Sequence, residues 1–502
     1  MIRNLVSFAI NQKMFFGLIM AVFLGFGVVA FRTLPIEAFP DVTDVQVIVI
    51  ALYPGHAAEE VEKQVTLPLE IGLSGIPHAV RTFSHTQFGL SFIPITFDDT
   101  VDPYFARQQV LERLHSIDLP EGVKPELAPL ATPVGELFRY QLKGGGLSPT
   151  DLRSVQDWTV VRALKVIPGV AEVVSRGGFI KQYEVSLDLA KAKAYNSPIN
   201  QVITALKRGN ANAGGSYVDQ GEQQFLIRGL GLLRSASDMA NVVVAERKGT
   251  PILVKEIAEV KQSFVPRQGI VGRDDEDEVV TGIVLMRKGE NPSEVLKAVR
   301  ARIDELNGNG LPKGVKIDAF YDRTWLINTT LSTVFKNLLE GAALVAAVLF
   351  VFLGNFRTAA IVALIIPLSL LATFIGLSIK GIPANLLSLG AMDFGIIVDG
   401  AVIVIENIFR TLSEDTSPRT PETFKEKIID AATQVGRPTP FAMLIVITAH
   451  LPIFALQRHE GRIFAPMAYT VVSGVDWFVV VFVDAGAAAG LLPAAEAAAA
   501  RR

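Results

Sequence analysis

The chain has 502 residues, of which 50% are hydrophobic and 19% are charged, and its mean hydropathy is +0.38. Soluble proteins carry about a quarter charged residues, so this composition indicates a membrane protein. The net charge of -3 excludes a broadly basic nucleic-acid-binding surface, and the absence of cysteine excludes disulfides, thiolate nucleophiles, zinc fingers and iron–sulfur clusters.

Apolar runs separated by polar sequence predict membrane-spanning helices. The first run, residues 14–31, has no charged residue and reaches the minimum length of about 18 residues for a span. It follows a short amphipathic stretch, and a cleaved signal peptide is the alternative interpretation. Four further runs lie near the other end of the chain: 338–353, 359–379, 386–408 and 441–456.

The distribution of basic residues predicts the orientation of these spans. Arginine and lysine are concentrated before the first run and in the loop after residue 408, which predicts that both segments are cytoplasmic. The insert of about 300 residues between the first two spans therefore lies outside, in the periplasm of a bacterium.

The insert reads as repeated α/β units. Its first part has the order β-α-β-β-α, which suits a ferredoxin-like split βαβ unit. A second unit begins near Glu136, and its helices open at Ser148-Pro149 and Asn291-Pro292, each a cap residue followed by proline. About a hundred residues interrupt this unit, and their polar, glycine-rich part predicts an extended hairpin.

The fourth apolar run carries three carboxylates, Asp393, Asp399 and Glu406. A charged side chain at the centre of a bilayer costs about 2.5–3.5 kcal/mol on insertion scales, so these residues are expected to line a polar cavity. At about 100° per residue, Asp399 and Glu406 share one helix face. Such a ladder of protonatable groups can couple a proton gradient to movement. The alternative for Asp393 and Glu406 is solvation near the helix ends.

The motif DFGIIVDGAVIVIEN, residues 393–407, together with this topology, resembles the resistance-nodulation-division (RND) transporters, and within them the heavy-metal efflux branch. LPIEAFPDVTDVQVIV, KGTPILVKEIAEV and GRIFAPMAYTVVS also match that branch, and the resemblance extends to about residue 473. Drug-exporting relatives carry Asp-Asp where this chain has Asp399-Gly400. The additional acids match the divalent-cation subgroup, which favours zinc, cobalt and cadmium as substrates.

The resemblance implies an α-helical polytopic membrane protein of RND fold, first half, with a periplasmic α+β insert of ferredoxin-like (βαββαβ) porter subdomains. It implies proton-driven efflux of divalent heavy-metal cations by a secondary transporter, with Asp393, Asp399 and Glu406 as the proton relay. Glu136 matches a periplasmic metal ligand of zinc-type relatives, although a lone glutamate at a strand start is also often a solvated surface residue. No cofactor is expected besides the transported cation and protons.

The same resemblance implies a homotrimer in the bacterial inner membrane that works with a periplasmic adaptor protein and an outer-membrane channel, in contact with lipid and not with nucleic acid. The alternatives are an RND pump for drugs or other organic substrates, and a non-transporting half-size membrane subunit. An enzyme is not expected, because the sequence has no nucleotide-binding loop, Ser/His/Asp arrangement or HExxH motif. The histidines show no spacing typical of a metal site. His56, His78, His85 and His115 are expected to be structural, and His450 is either structural or a polar lining of the fifth span.

These expectations divide the chain into segments. In chain order they are an amphipathic helix (1–12), the first span (13–32), a first porter subdomain (33–134), a second porter subdomain (135–189 and 273–330), an inserted docking subdomain (190–272), spans two to five with a cytoplasmic loop at 409–437 (331–464), and the start of a sixth span with an alanine-rich tail (465–502).

The tail departs from the family pattern. Asp476 and Asp484 interrupt the apolar run after Ser473, and the composition then becomes alanine-rich, as a frame change in a GC-rich gene would produce. A natural half-size protein is the alternative. Family members have two homologous halves, so transport by this segment alone is not expected.

Overall fold

The computed structural model describes residues 2–37, 39–267, 269–353, 356–390, 403–404, 406–412, 414, 421–436 and 438–485.

The first sheet is antiparallel, with strand order β2-β4-β1-β5 and β3 paired with β4. Its strands are β1 (Gln46–Leu52), β2 (Ala79–Thr82), β3 (His85–Gln87), β4 (Leu90–Phe97) and β5 (Pro125–Leu127). Alternate residues of β1 point inward, so Val49 is fully buried against Ile93 and the helices that cover one face. The covering helices are α3 (Ala58–Val61), α4 (Leu67–Gly72) and α5 (Pro103–Leu114). Two earlier helices, α1 (Ile2–Asn11) and α2 (Lys13–Thr33), precede the sheet in the chain.

A second sheet has the strand order β15-β6-β14-β7 and joins residues from both sides of an insertion. Its strands are β6 (Glu136–Gly144), β7 (Val170–Arg176), β14 (Val280–Met286) and β15 (Val315–Asp322). The helices that cover it are α6 (Pro149–Val155), α7 (Val161–Lys165) and α12 (Pro292–Glu305). Ser148 and Asn291 cap α6 and α12 by accepting backbone N–H bonds from Asp151 and Ser293. The core of this unit centres on Tyr140, which is fully buried.

The insertion carries three two-stranded sheets. Their strands are β8 (Lys181–Leu187), β9 (Ala213–Gln220), β10 (Gln223–Gly229), β11 (Val243–Arg247), β12 (Thr250–Leu253) and β13 (Ala258–Phe264). Its helices are α8 (Leu189–Ala194), α9 (Ile199–Gly209), α10 (Ala236–Ala240) and α11 (Val254–Ile257). The β9–β10 hairpin is exposed along its whole length. Val202, Val254 and Ile257 form a small core elsewhere in the insertion.

The remaining helices include one, Phe356–Lys380, that packs against α2 and against two of the others, Arg323–Leu353 and Arg458–Ala485. They are α13 (Arg323–Leu353), α14 (Phe356–Lys380), α15 (Leu386–Gly390), α16 (Pro421–Gly436), α17 (Pro438–His450) and α18 (Arg458–Ala485). Among the described residues, one helical segment, Arg323–Val348, is long and apolar enough to cross a membrane, and three shorter apolar segments are Gly17–Thr33, Ile366–Lys380 and Phe441–Ala455.

Several helix bounds differ from the predicted spans. Helix α13 follows β15 directly and begins well before residue 338, because Thr324 N–H donates to Asp322 Oδ1 and starts the helix at the strand end. Helix α17 ends at His450 and tightens into a 3-10 turn at Leu451–Ala455, where Pro452 lacks an N–H. Helix α18 runs from Arg458 to Ala485, so the interruption of the apolar run at Asp476 and Asp484 falls within one helix.

Candidate metal-binding face and proton pathway

Of the three residues of the candidate proton relay, the structure describes only Glu406. Asp393 and Asp399 lie outside the described residues. Glu406 lies on a helical stretch, 406–412, where its side chain is exposed. The next residue, Asn407, donates from Nδ2 to the carbonyl of Ala431 at 2.8 Å, so this stretch is tied to α16.

Helix α16 also holds the N-terminal helix. Arg3 Nη2 of α1 lies 3.3 Å from Asp430 Oδ1 of α16, with both side chains exposed. The residues around Glu406, the N-terminal helix and α16 therefore lie at one end of the helical part.

Glu136 begins β6 and is half-buried. Its Oε2 accepts a hydrogen bond from Arg139 Nε at 3.0 Å and also pairs with Arg139 Nη2. The Arg139 guanidinium lies 5.7 Å from the ring centroid of Tyr321, which fixes its position on the sheet. The candidate ligand therefore has a resident basic partner.

A second carboxylate, Glu172, lies across the sheet from Glu136. Glu136 of β6 and Glu172 of β7 both pair with Leu285 of β14, from opposite sides. Val284 and Met286 on either side of Leu285 belong to the core, so Leu285 and its two partners lie on the opposite, open face. Two strand spacings separate the Glu136 and Glu172 backbones by about 10 Å.

Glu172 also has a basic partner. Its Oε2 lies 2.7 Å from Lys165 Nζ at the end of α7. Sequence analysis did not single out Glu172; the signal that could have found it is a carboxylate inside the apolar strand sequence VAEVV, residues 170–174.

The two carboxylates can supply oxygen ligands to a divalent cation such as zinc. The described residues contain no group of three or more His, Cys, Asp or Glu side chains that could hold a metal ion. Binding by Glu136 and Glu172 would displace Arg139 and Lys165, so the cation and the basic side chains compete for the same carboxylates.

The described histidines make local contacts. His56 Nδ1 lies 3.2 Å from the carbonyl of Pro54, and its ring stacks on Tyr53. His85 Nε2 lies 2.9 Å from Gln87 Nε2, and His115 Nδ1 lies 2.7 Å from the carbonyl of Leu111. His78 has a positive φ of 64° in the turn before β2. His450 is half-buried, with Nδ1 2.8 Å from the carbonyl of Val446.

A cavity of about 450 Å³ lies where the chain leaves α2 and meets the segment before α15 and the start of α18. Glu37 lines it, and burial raises the pKa of Glu37 to about 7, although the nearby Arg323 guanidinium lowers it. Sequence analysis did not single out Glu37; an acid in the apolar sequence LPIEAF, residues 34–39, is the available signal.

Comparisons with known proteins agree in one family. The family model described as the AcrB/AcrD/AcrF family matches residues 5–498. The chain is 41% identical over 489 residues to the cobalt-zinc-cadmium resistance protein CzcA of Cupriavidus metallidurans, covering 94% of this chain and 46% of that protein. It is 38% identical over 448 residues to the cation efflux system protein CusA of Escherichia coli strain K12, covering 87% of this chain and 43% of that protein.

A solved structure shares the fold. The crystal structure of a heavy metal efflux pump, crystal form II, superposes with a TM-score of 0.88 at 41% identity, covering 97% of this chain and 48% of that one. The chain spans about half the length of the relatives it matches.

Proposed function

The chain belongs to the AcrB/AcrD/AcrF family of RND transporters, and we propose that it serves the proton-driven efflux of divalent heavy-metal cations, zinc, cobalt or cadmium, as the first half of an inner-membrane pump. The observation that carries this proposal is the 41% identity to a cobalt-zinc-cadmium resistance protein over 94% of the chain. The sheet face with Glu136 and Glu172 supports a cation substrate, because carboxylate oxygens are ligands for divalent metal cations.

The membrane architecture forms part of the proposal. We place α2, α13, α14, the apolar segment 386–408, α17 and α18 in the bilayer, and the insert in the periplasm. The contact between Arg3 and Asp430 supports this topology, since the positive-inside rule assigns both segments to the cytoplasmic side. The strand orders β5-β1-β4-β2 and β15-β6-β14-β7 support two ferredoxin-like porter subdomains, with the second interrupted by the docking subdomain.

The proposed assembly is a homotrimer with an adaptor and an outer-membrane channel. The β9–β10 hairpin supports an assembly role, because it leaves the apolar side chains of Tyr217, Phe225 and Leu226 exposed.

The proposed mechanism exchanges protons for the cation. Asp393, Asp399 and Glu406 would take protons from the periplasmic side and release them to the cytoplasm. The changing charge of Asp399 would alter its pairing and move the helices attached to the porter sheets. A direct attachment exists in the described structure, where β15 continues into α13 without a loop.

A chimera tests the function. The matching segment of the Cupriavidus metallidurans CzcA would be replaced by this chain, and zinc, cobalt and cadmium export would be measured in a metal-sensitive bacterium. We expect the chimera to restore metal tolerance and Asp399→Asn to abolish it. Glu414→Gln, at an exposed position shortly after Glu406, is the matched control and should keep tolerance. Tolerance that survives Asp399→Asn contradicts the relay, and export of an organic drug without any metal contradicts the substrate class.

A further inference from the structure

The cavity at Glu37 is closed by backbone contacts between distant parts of the chain. Ile36 forms a bridge with Ala384, and Glu37 N–H donates to the Ala384 carbonyl at 2.9 Å. Ala384 N–H in turn donates to the Pro35 carbonyl at 3.0 Å. These bonds fix Glu37 beside the segment that precedes α15, whose last residue, Gly390, comes three residues before Asp393 in the sequence.

Two buried polar atoms of this cavity lack a partner. Glu37 Oε2 and Asn385 Nδ2 have no hydrogen-bond partner among the described residues. Asn385 lines the cavity and is fully buried, with its Oδ1 already accepting from Ser388 N–H at 2.8 Å. A buried polar group without a hydrogen-bond partner costs free energy. A water molecule in the cavity would satisfy either atom, and a proton on the Glu37 carboxyl would remove its charge.

The charges around Glu37 decide between a proton and a metal ion. Arg323 faces Glu37 from α13, and Lys288 and Arg462 line the same cavity from the loop after β14 and from α18. The carboxylates around these groups are Glu37, Asp41, and Asp44 and Asp99, which pair with Arg462. Three basic groups therefore balance the four carboxylates once Glu37 holds a proton, and no divalent cation is needed to neutralise the site. Burial raises the pKa of Glu37 to about 7 and lowers that of Lys288, so the site favours neutral forms.

Polar groups continue from the cavity toward the fourth span. Ser388 Oγ accepts from Asn385 N–H at 3.0 Å and donates to the Asn385 carbonyl at 3.0 Å. Thr470 Oγ1 of α18 donates to the Ser388 carbonyl at 3.1 Å. All three residues are fully buried, and Asp393 follows Ser388 by little more than one helical turn in sequence.

We propose that Glu37 is a proton-exchange site at the periplasmic mouth of the fourth span, where it passes protons to the relay. The inference rests on the proposed proton-coupled function and adds a residue to it. In the transfer, the Glu37 carboxylate accepts a proton from hydronium on the periplasmic side, which forms the carboxyl O–H bond and leaves a water molecule. The acid then releases that proton to water in the cavity, and the proton continues past Asn385 and Ser388 to a relay carboxylate.

The first test measures protonation of Glu37 without requiring transport. The full chain in lipid nanodiscs would be titrated across about pH 5 to 9, and the carbonyl stretch of protonated carboxyl groups would be followed by infrared difference spectroscopy. We expect a wild-type signal with a midpoint near pH 7 that is lost in Glu37→Gln. Glu121→Gln, in an exposed loop before β5, is the matched control and should retain it. Identical titrations of wild type and Glu37→Gln overturn the proposal.

Two further measurements test whether the cavity binds a metal ion and whether Glu37 is linked to the relay. Zinc retained in equilibrium dialysis by wild type and lost by Glu37→Gln alone would make the cavity a metal site and overturn the proposal. In an active CzcA chimera, Glu37→Gln should slow export and flatten its pH profile around pH 7, whereas an unchanged profile overturns the link to the relay. If every chimera is inactive, the proposed function fails, and the infrared titration still decides whether Glu37 exchanges protons.

Discussion

Arg462 and Asp44 connect the two ends of the chain: Arg462 Nη1, in the first turn of α18, lies 3.3 Å from Asp44 Oδ1, just before β1. The same nitrogen donates to the Val42 carbonyl at 2.8 Å, and Nη2 pairs with Asp99 after β4. One guanidinium thus joins a helix of the proposed membrane domain to the end of the first sheet where β1 begins beside the end of the antiparallel β4. Charge-assisted bonds of this kind resist displacement better than a single exposed ion pair.

Replacing Arg462 should loosen that junction. Arg462→Ala removes bonds to two carboxylates and one carbonyl, and we expect a loss of about 1–3 kcal/mol in the free energy of unfolding. Arg462→Lys keeps the charge but not the fork of donors, so its loss should be intermediate. Thermal unfolding of the detergent-solubilised chain checks both, with the exposed Glu460→Gln as control. Equal midpoints for Arg462→Ala and the control would show that the contact contributes nothing.

Gly282 lies at the centre of β14, where it packs against the ring of Tyr140. A Cβ at this position would stand 2.2 Å from Tyr140 Cζ, and the Tyr140 side chain is fully buried in the core. Gly282→Ala should therefore destabilise the chain by about 1–3 kcal/mol, as overpacking does. Gly214→Ala is the control, because a Cβ there meets no atom within 4 Å. Chemical denaturation of both variants decides, and a neutral Gly282→Ala would mean that the Tyr140 ring can move aside.

The features that could be predicted from sequence depend on residues close together in the chain. The caps of α6 and α12 follow from Ser148 and Asn291 immediately before proline, and the structure confirms both. The family was predicted from the carboxylate motif of residues 393–407 and is confirmed by the comparisons. In each case the evidence lies within a few residues of sequence.

The features that escaped prediction depend on register and long-range contact. Glu172 reaches the row of Glu136 only because β14 pairs with both flanking strands through register shifts next to Leu285. Local alternation of apolar and polar residues does not specify such shifts. Glu37 lies in a cavity lined by residues distant in sequence, and its N–H donates to the carbonyl of Ala384.

Glu37 should make the chain less stable as the pH rises. Its pKa is about 7 in the folded chain against an ordinary value of 4.5, so between these values the folded state holds more protons than the unfolded state. Stability is therefore highest below about pH 4.5 for this group and falls until about pH 7, by at most about 3 kcal/mol.

Glu37→Gln removes this dependence. We expect the variant to be more stable than wild type above pH 7 and to approach it at about pH 5, because glutamine resembles the protonated acid. Unfolding midpoints at several pH values provide the measurement. A constant difference between the two proteins across this range would contradict the raised pKa.

Zinc binding should depend on both carboxylates of the open sheet face. Glu136→Gln and Glu172→Gln each remove one oxygen ligand of a shared cation, and even outer-sphere losses cost about 10–100-fold in metal affinity, so each variant should bind at least about tenfold more weakly. Isothermal titration of zinc into the full chain in nanodiscs measures the change. Glu126→Gln, exposed on β5, is the control. Loss of affinity in only one of the two variants would show that they do not share a cation.

The basic partners of these carboxylates should act in the opposite direction. Arg139 and Lys165 neutralise Glu136 and Glu172, so a cation must displace them before it binds. Arg139→Gln should therefore tighten zinc binding by about three- to tenfold at low salt, and less at high salt, where the exposed charges are screened. Arg176→Gln, on the same face of β7 opposite Thr281 and farther from Glu172, should change affinity little. Weaker binding in Arg139→Gln would mean that Arg139 holds Glu136 in position for the metal and does not compete with it.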